Sequence, residues 1–357
     1  MIPTFDKIHN RFKLNGNSFN AEELKEVAYS FIKEGEPFEQ VMGDFLLDWL
    51  DDKPFIKVKT SGSTGKPKSI KVQKQAMVNS AIATGDAFGL RPGFTALHCL
   101  PTNFIAGKMM LVRAMILGLE LDVVEPKSSL KIPQNKHYHF CAMIPLQLQN
   151  SLDIAEQIDI IIVGGAPVSQ PLLKSIKPLT TKIFATYGMT ETVSHIAIKP
   201  INGKCAESEH YKALTGVEIS QNKKGCLVIN APHLSNGKIE TNDVVELYSP
   251  TEFEILGRLD NVVNSGGIKL HPEQIERKLQ SYISQRFFVI GIPDDRLGEK
   301  LILVVEGDAN NLSKKAFENL DKYEVPKEIF SVNKFVETEN QKIQRNKTLA
   351  LINTSFL

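Results

Sequence analysis

The sequence predicts an α/β fold with a large amino-terminal domain, residues 1–259, and a smaller α+β carboxyl-terminal domain, residues 260–357. Three observations lead to this prediction. Between residues 95 and 186, short apolar runs alternate with longer helix-compatible stretches, which is typical of a mostly parallel sheet with crossover helices. Short β-type runs and turns between residues 200 and 257 indicate a small β-rich subdomain. Beyond Asp260 helix and strand patterns mix, so the domain boundary is placed there.

The elements follow in chain order. A strand-like alternation at 55–59 comes first, and the apolar runs of the predicted parallel sheet are residues 96–100, 119–124, 139–143, 158–163 and 182–185. Helical spacing of apolar residues from Ile105 to Ile116 predicts a helix, and Ser169 with Pro171 predicts the start of another. Later strands are expected at 226–230, 243–247, 253–256, 287–290 and 301–305. Helices are expected from Pro272, with Ile275 and Leu279 buried, and from Ser313.

Composition narrows the class of function. The chain has 357 residues, of which 42% are hydrophobic and 23% charged, and a net charge of +1. A near-neutral chain gives no electrostatic reason to expect nucleic acid or an anionic membrane as partner, so a small molecule is expected. The four cysteines are widely spaced, which favours neither a disulfide framework nor a zinc site. No apolar run is long enough for a signal core or a membrane span, so we expect a cytoplasmic protein.

A loop of hydroxyls, glycines and lysines follows the strand at 55–59. Such a loop offers bare backbone N–H groups, hydroxyl donors and ammonium groups, all of which can bind the oxygens of a triphosphate. The loop therefore predicts ATP binding. The P-loop of kinases and GTPases does not match, because Thr60 stands at its first glycine and Pro67 follows Lys66. A flexible Ser/Gly linker is the structural alternative. The candidate phosphate-binding residues are Thr60, Ser61, Gly62, Ser63, Thr64, Gly65, Lys66 and Lys68.

Polar, glycine-rich and aromatic residues cluster just after the predicted parallel strands, where ligands bind in such sheets. In the segment 186–192, Tyr187 suits stacking on a purine, although a core position is the alternative for it. Gly188 lets the backbone approach a bound ligand closely, and the Thr190 hydroxyl can donate a hydrogen bond to a phosphate. Glu191 can bind magnesium, although a solvated surface acid is the alternative.

Taken together, motifs in order over residues 60–345 resemble those of the adenylate-forming enzymes, the superfamily of acyl-CoA synthetases, luciferases and peptide-synthetase adenylation domains. The phosphate loop comes first. The motifs that follow it are Gly164-Gly165-Ala166-Pro167, Tyr187-Gly188-Met189-Thr190-Glu191, Thr241-Asn242-Asp243, Gly257-Arg258-Leu259-Asp260, the segment 264–276 and Gln341-Lys342-Ile343-Gln344-Arg345.

The resemblance implies an ATP-dependent enzyme that joins a carboxylic acid to AMP and then to CoA. Lys342 would catalyse adenylation together with Thr190 and the magnesium ligand Glu191, although a solvated surface lysine is the alternative for Lys342. Asp243 would accept hydrogen bonds from the ribose, Arg258 would bind ribose or phosphate, and the carboxyl-terminal domain would be mobile. The remaining implied residues are Gly164, Gly165, Ala166, Tyr187, Gly188 and Met189 around ATP or AMP, the hinge Asp260, and Gly266, Gly267 and Lys269 facing CoA.

Several segments are similar to the o-succinylbenzoate-CoA ligases in particular, which implies o-succinylbenzoate as substrate in menaquinone biosynthesis. The segment 100–108 with Arg113 resembles their Leu-Pro-x-Phe-His-Ile-Ser-Gly region, and the tail of the magnesium motif, 192–195, also matches. Their substrate has two carboxylates, so a cation in the acyl pocket makes physical sense. The implied acyl-binding residues are Phe104, Gly107, Arg113, Ser194 and His195, with an exposed structural arginine as the alternative for Arg113.

Some positions depart from the family pattern. Asn103-Phe104 replaces an aromatic-His pair, Asn242 replaces a glycine, and Gln341 replaces the glycine before the lysine. The phosphate loop begins near residue 60, so part of the usual amino-terminal region is expected to be missing or compressed. An aryl- or fatty-acid-CoA ligase, or a nucleotide-binding relative with impaired catalysis, are the alternative functions. The assembly is left open, with a homodimer among the options.

Overall fold

The computed structural model describes residues 3–59, 69–203, 210–309, 312, 314–337 and 343–354. Its helices are α1 (Ala21–Glu34), α2 (Pro37–Leu50), α3 (Lys74–Phe88), α4 (Ile105–Leu117), α5 (Pro145–Gln149), α6 (Leu152–Ala155), α7 (Gln170–Ile176), α8 (Pro272–Leu279) and α9 (Arg345–Thr354). Within these residues no helix is both long and apolar enough to cross a membrane.

The strands of the first half are β1 (Lys13–Leu14), β2 (Asn17–Ser18), β3 (Phe55–Lys59), β4 (Ser69–Gln73), β5 (Thr95–His98), β6 (Glu120–Val123), β7 (Tyr138–Met143), β8 (Ile158–Val163), β9 (Lys182–Gly188) and β10 (His195–Pro200). Those of the second half are β11 (Tyr211–Ala213), β12 (Glu218–Gln221), β13 (Cys226–Asn230), β14 (Ile239–Ser249), β15 (Glu252–Arg258), β16 (Val263–Ser265), β17 (Ile268–Leu270), β18 (Phe287–Asp294), β19 (Gly298–Glu306) and β20 (Glu328–Val332).

One large mixed sheet contains the strands up to Arg258 except β3 and β4, which pair antiparallel in a separate two-stranded sheet. The strand order of the large sheet is β12-β13-β14-β15-β11-β10-β9-β8-β7-β5-β6-β1-β2. The neighbouring pairs β9–β8, β8–β7, β7–β5, β5–β6 and β6–β1 are parallel, which confirms the parallel sheet expected from the apolar runs. The β-rich segment continues this same sheet, because β10 folds back antiparallel to β9 and carries β11 and β15 beside it.

Helix α4 is buried on all sides. Every residue from Gly107 to Ile116 is buried, because α4 packs against the sheet and α3. The predicted spacing from Ile105 to Ile116 therefore marked a real helix, but one enclosed in the core and without a polar face. One result is that Arg113, in the middle of this helix, is only 2% exposed.

Residues 3–54 include two helices that the sequence patterns above did not assign. Asn20 caps α1 through its side-chain oxygen, and the side chain of Glu23 returns a bond to the Asn20 backbone. This is a capping box, a signal that was present in the sequence. Phe12, Phe45 and Trp49, each 1% exposed, join this segment to the main core around α3 and α4.

The strands after residue 262 form a different, five-stranded sheet, in the order β17-β16-β19-β18, with β20 parallel to β19. Helix α8 begins at Pro272 and buries Ile275 and Leu279, as predicted. The helix expected from Ser313 is a 3₁₀ turn at Lys314–Phe317, and Ser313 itself lies outside the described residues. This short polar segment buries little more than Ala316 and Leu320. It therefore provides too little packing to stabilise a longer helix.

A 3₁₀ turn, Leu259–Asn261, joins the two sheets. Helix α8 packs on β15, where a Cβ atom on Gly257 would lie 2.4 Å from the Glu273 carboxylate. Arg277 adds an ion pair to Glu254 at 3.2 Å and donates to the Ile255 carbonyl at 2.7 Å. The turn that carries Asp260 therefore runs beside a close contact between the large sheet and the smaller one.

Two histidines at strand ends are buried as neutral groups. Burial lowers the pKa of His98 in β5 to about 4 and, with the nearby Arg113 charge as second cause, the pKa of His195 in β10 to about 3. Both folded values lie below the ordinary value near 6.5, so the unfolded chain binds more protons between these limits. Their contribution to stability is complete above pH 6.5 and is lost as the pH falls below it.

We therefore expect the free energy of unfolding to fall between pH 7 and pH 5, with about 2 kcal/mol of the fall from each histidine. Urea unfolding of the wild type and of His98→Gln at both pH values measures this. The variant should lose about 2 kcal/mol less than the wild type over this interval. An equal loss in both proteins would contradict the assignment of His98 as a buried neutral group.

Candidate active site

The carboxyl ends of β5, β7, β8 and β9 meet at one edge of the sheet, since these strands are parallel neighbours. The segments after β5, β8 and β9 carry some of the residues singled out from the sequence, and the others lie elsewhere in the chain. Two sets of those residues lie outside the described part of the chain. They are the phosphate loop, Thr60, Ser61, Gly62, Ser63, Thr64, Gly65, Lys66 and Lys68, and the candidate catalytic residue Lys342.

The turn after β8 lies directly against the end of β9. The Thr186 hydroxyl donates to the Val163 carbonyl at 3.1 Å, and a Cβ atom on Gly164 would lie 2.4 Å from that hydroxyl oxygen. Gly165 has φ +87°, a value that favours glycine. Ala166 is exposed. The glycines thus bring an exposed turn next to Thr186 at the end of β9.

Tyr187 and Asp243 are joined by a short hydrogen bond. The Tyr187 hydroxyl donates to Asp243 Oδ2 at 2.6 Å, and burial, followed by the Asp243 charge, raises the pKa of Tyr187. The tyrosine ring packs edge-on against Phe253, with 5.4 Å between ring centroids, and 6.1 Å from Tyr211. One edge of the ring therefore belongs to the core, and its hydroxyl fixes the orientation of the Asp243 carboxylate.

Arg258 links Asp243 to the turn between the sheets. Its guanidinium lies 3.1 Å from Asp243 Oδ1 and 3.8 Å from Asp260 Oδ2. The Asn242 side chain also donates to Asp260 Oδ2, at 3.3 Å. The residues expected at the ribose and at the hinge thus form one polar cluster, although Asp260 remains 64% exposed.

A 3₁₀ turn, Thr190–Thr192, follows β9 and Met189. Glu191 is exposed, and none of the described residues forms a group of three or more His, Cys, Asp or Glu side chains that could hold a metal ion. Magnesium is commonly held by one or two carboxylates together with substrate phosphates. A single exposed carboxylate next to the Thr190 hydroxyl fits that mode of binding.

Arg113 contacts two of the acyl-binding residues expected from the sequence, Ser194 and His195. Its Nε donates to Thr84 Oγ1 at 3.2 Å and its NH2 group to Ser194 Oγ at 2.7 Å, while His195 Nδ1 lies 3.5 Å away. Among the described residues, its NH1 group has a single hydrogen-bond contact, with the Met110 sulfur at 3.8 Å. Burial lowers the pKa of Arg113 to about 10, so the guanidinium remains charged at neutral pH.

The described partners of this charge are all neutral. No carboxylate in the described part of the chain lies within ion-pair distance of Arg113, and burial is the cause of its altered pKa. His195 stays uncharged, and its Nε2 atom is buried without a hydrogen-bond partner. A buried guanidinium without a counter-ion costs several kcal/mol of desolvation, about 3–5 kcal/mol by analogy with broken buried ion pairs. An anion bound here would offset that cost.

Phe104 and Gly107 lie at the start of α4, nine and six residues before Arg113. Phe104 precedes the first turn and is 37% exposed. Gly107 is buried, and a Cβ atom there would lie 2.3 Å from the Pro101 carbonyl oxygen. The glycine therefore lets α4 approach the loop after β5. Six residues of helix place Arg113 about 9 Å further along the same axis.

The residues expected to face CoA form a hairpin turn in the smaller sheet. Gly266 and Gly267 connect β16 to β17, and Ser265 pairs with Ile268 across the turn. Both glycines have positive φ, +58° and +85°, which is the requirement of a type I′ turn. Lys269 follows in β17 and is exposed.

Sequence reasoning missed two buried threonines, Thr84 and Thr192. Thr84 lies on α3 and accepts the Arg113 Nε bond, while its own hydroxyl reaches the Ser80 carbonyl at 2.9 Å. Thr192 closes the turn between Met189 and Ser194. Thr192 is the first residue of the segment 192–195, and the resemblance of that segment to the o-succinylbenzoate-CoA ligases implied no role for it. Only the packing of α3 on α4 reveals Thr84, because the two helices are joined by a long connection.

Comparison with known proteins gives the family. The model of the AMP-binding enzyme family matches residues 51–235. The crystal structure of an acyl-CoA synthetase (AMP-forming)/AMP-acid ligase II-like protein from Dyadobacter fermentans is 36% identical and covers 92% of this chain and 98% of that chain, with a TM-score of 0.62.

Curated relatives agree with this match. The 2-succinylbenzoate–CoA ligase of Listeria monocytogenes is 26% identical over 317 residues, which are 81% of this chain and 68% of the relative. The corresponding ligase of Staphylococcus aureus is 28% identical over 331 residues, 84% of this chain and 67% of the relative.

A likeness in fold extends to the o-succinylbenzoate CoA synthetase of Bacillus subtilis in complex with the acyl-adenylate intermediate OSB-AMP. The two chains are 18% identical, with a TM-score of 0.77 and 95% of each chain covered. The strand order, the arrangement of residues at the sheet edge and the family match lead to one conclusion: this chain belongs to the AMP-binding enzyme family.

Proposed function

We propose that the chain is an AMP-forming acid–CoA ligase that activates o-succinylbenzoate with ATP, through an acyl-adenylate, and transfers the acyl group to CoA in menaquinone biosynthesis. The family match and the names of its relatives support the reaction class. The observation that carries the choice of substrate is the buried charge of Arg113, whose described partners are all neutral.

The charge of Arg113 argues for a second carboxylate in the substrate. A monocarboxylic acid gives up its negative charge when it becomes an adenylate, and its remaining apolar body would offer nothing to a buried guanidinium. An acid with two carboxylates keeps one of them, which can accept two parallel N–H bonds from arginine. O-succinylbenzoate is such an acid, whereas benzoate and fatty acids are not.

In the proposed reaction a carboxylate oxygen of the acid attacks the α-phosphorus of ATP and pyrophosphate leaves. The CoA thiol then attacks the acyl carbon, and AMP leaves. In the first step positive charge must stabilise the negative charge that develops on the phosphate, and Lys342 is the proposed source of that positive charge. Asp243, oriented by Tyr187, would accept the ribose hydroxyls, and Thr190 would donate to phosphate. Magnesium at Glu191 would supply further positive charge to the phosphates.

The second step is proposed to involve the smaller sheet. We place the domain boundary at Asp260, between residues 1–259 and 260–357, because the strands on either side of it belong to different sheets. Rotation about Asp260 would withdraw Lys342 and bring Gly266, Gly267 and Lys269 to the thiol. Asp260 is exposed and held through Arg258 and Asn242, contacts weak enough to be exchanged. A cytoplasmic location is part of the proposal.

ATP–pyrophosphate exchange with a panel of acids tests the proposed function. We expect exchange with o-succinylbenzoate at a kcat/KM at least 100-fold above that for benzoate or octanoate, because only the first acid offers a second carboxylate. Exchange with benzoate or octanoate but none with o-succinylbenzoate would overturn the substrate. The absence of exchange with every acid would favour a nucleotide-binding relative without catalysis.

Replacement of Arg113 by methionine separates function from stability. Methionine fills a similar volume without a charge, so we expect the free energy of unfolding to stay the same or to rise by about 1 kcal/mol. The KM for o-succinylbenzoate should rise about 100-fold, the equivalent of about 3 kcal/mol of charge-assisted bonding. The matched control is Arg91→Met, since Arg91 is exposed outside the site. An unchanged KM in Arg113→Met would contradict the role of the guanidinium.

Lys342→Ala tests the proposed division between the two half-reactions. The variant should lose at least 1,000-fold in adenylate formation, because the developing charge on phosphate is no longer stabilised, about 4 kcal/mol. Thioester formation from supplied o-succinylbenzoyl-adenylate and CoA should stay within threefold of the wild type. Equal losses in both steps would mean that Lys342 does not act in adenylation alone.

A further inference from the structure

The backbone is strained at Val193, between the phosphate-side and acyl-side residues. Val193 has φ +68° and ψ −54°, and the Ser194 N–H donates to the Thr192 carbonyl at 2.7 Å. These values define the γ-turn that is rare in proteins, and a β-branched residue at positive φ is an outlier. Such strain persists only where the surrounding structure enforces it.

Hydrogen bonds of the Thr192 hydroxyl and the packing of Val193 enforce the turn. The Thr192 hydroxyl is fully buried and accepts from the Met189 N–H at 3.0 Å. Its oxygen also lies 3.0 Å from the Met189 carbonyl and 2.8 Å from the Ser194 carbonyl, and its single hydrogen can serve one of them at a time. The Val193 side chain is 1% exposed and packs into the main core.

Gly188 lets the two ends of the turn touch. A Cβ atom at this position would lie 2.3 Å from the Ser194 carbonyl oxygen and 2.5 Å from His195 Cα, so a larger residue would push them apart. Gly188 also pairs with His195 across β9 and β10. The segment from Gly188 to His195 is therefore a closed loop whose two ends are fixed to each other.

The closed loop connects the residues proposed to bind phosphate and magnesium to the residues that contact Arg113. Thr190, which is half-buried, and Glu191, which is exposed, are the residues proposed to meet phosphate and magnesium. Ser194 and His195, on the buried side of the loop, surround the Arg113 guanidinium, and Ser194 Oγ accepts from it at 2.7 Å. A change in the turn would alter the separation between the phosphate-side residues and the guanidinium.

We propose that Thr192 and Val193 are positioning residues that set this separation and so select the length of the acid. The acid must span from the α-phosphate, where one carboxylate reacts, to Arg113, where the other is bound. The hydroxyl of Thr192 closes the turn and so fixes the distance between the phosphate-side residues and the Arg113 guanidinium. The strained backbone of Val193 keeps Ser194 directed at the guanidinium. This inference rests on the proposed function, since it needs a substrate that is bound at both ends.

The test compares Thr192→Val, which removes the hydroxyl and keeps the shape, with Thr192→Ser, which keeps the hydroxyl. Thr181→Val is the matched control, because Thr181 is also buried and donates one hydrogen bond, 2.7 Å to the Ala155 carbonyl, at the other end of β9. The measurements are KM for o-succinylbenzoate by pyrophosphate exchange, the dissociation constant of ATP without acid, and the melting temperature.

We expect Thr192→Val to raise KM for o-succinylbenzoate at least tenfold while the dissociation constant of ATP changes less than twofold. Thr192→Ser should restore KM to within threefold of the wild type. Thr181→Val should lower the melting temperature to a similar extent and leave KM within twofold. A residue with a purely structural role would affect the melting temperature alone.

An unchanged KM in Thr192→Val, or an equal change in Thr181→Val, would overturn the positioning role while the proposed function stands. No exchange by the wild type with any acid would overturn the proposed function, and this inference with it. Should Thr192→Val fail to fold, Val193→Gly carries the same expectation, since glycine accepts the positive φ but releases the side-chain anchor. An unchanged KM in that variant would equally overturn the positioning role.

Discussion

The buried guanidinium of Arg113 is the interaction on which the account of the site depends. It lies in a helix enclosed by the core, and its described hydrogen-bond partners are neutral hydroxyl, imidazole and thioether groups. Replacing such a charge with an apolar group of the same size would ordinarily be neutral or stabilising. A protein that keeps such a charge bears a cost in stability, and binding of an anionic substrate would offset that cost.

The sheet explains how residues so distant in sequence reach this charge. Parallel pairing of β5, β7, β8 and β9 brings their carboxyl ends to one edge, and β10 turns back from β9 at the same edge. Thr84 and Arg113 come from the two helices that cover this part of the sheet, and Ser194 and His195 from the start of β10. The polar cluster of Asp243, Arg258 and Asp260 lies where the large sheet gives way to the smaller one.

Much of this could be predicted from the sequence, because the signals are local. Apolar runs gave the parallel strands, and the run 158–163 coincides with β8. The position of Arg113 beside Ser194 was implied only by resemblance, since the two are far apart in the chain. Thr84, the γ-turn at Val193 and the continuity of the β-rich segment with the parallel strands depend on tertiary packing. No local pattern encodes them. The capping box of Asn20 and Glu23 is a local signal for α1.

The most direct test of the central claim is a crystal structure with a non-hydrolysable analogue of o-succinylbenzoyl-adenylate. We expect the free carboxylate of the analogue to lie about 3 Å from the Arg113 guanidinium, in a charge-assisted hydrogen bond. The adenylate would lie at the turn 164–166 and at Asp243. A carboxylate that points to solvent or to another cation, with Arg113 still bonded only to Thr84 and Ser194, would contradict it.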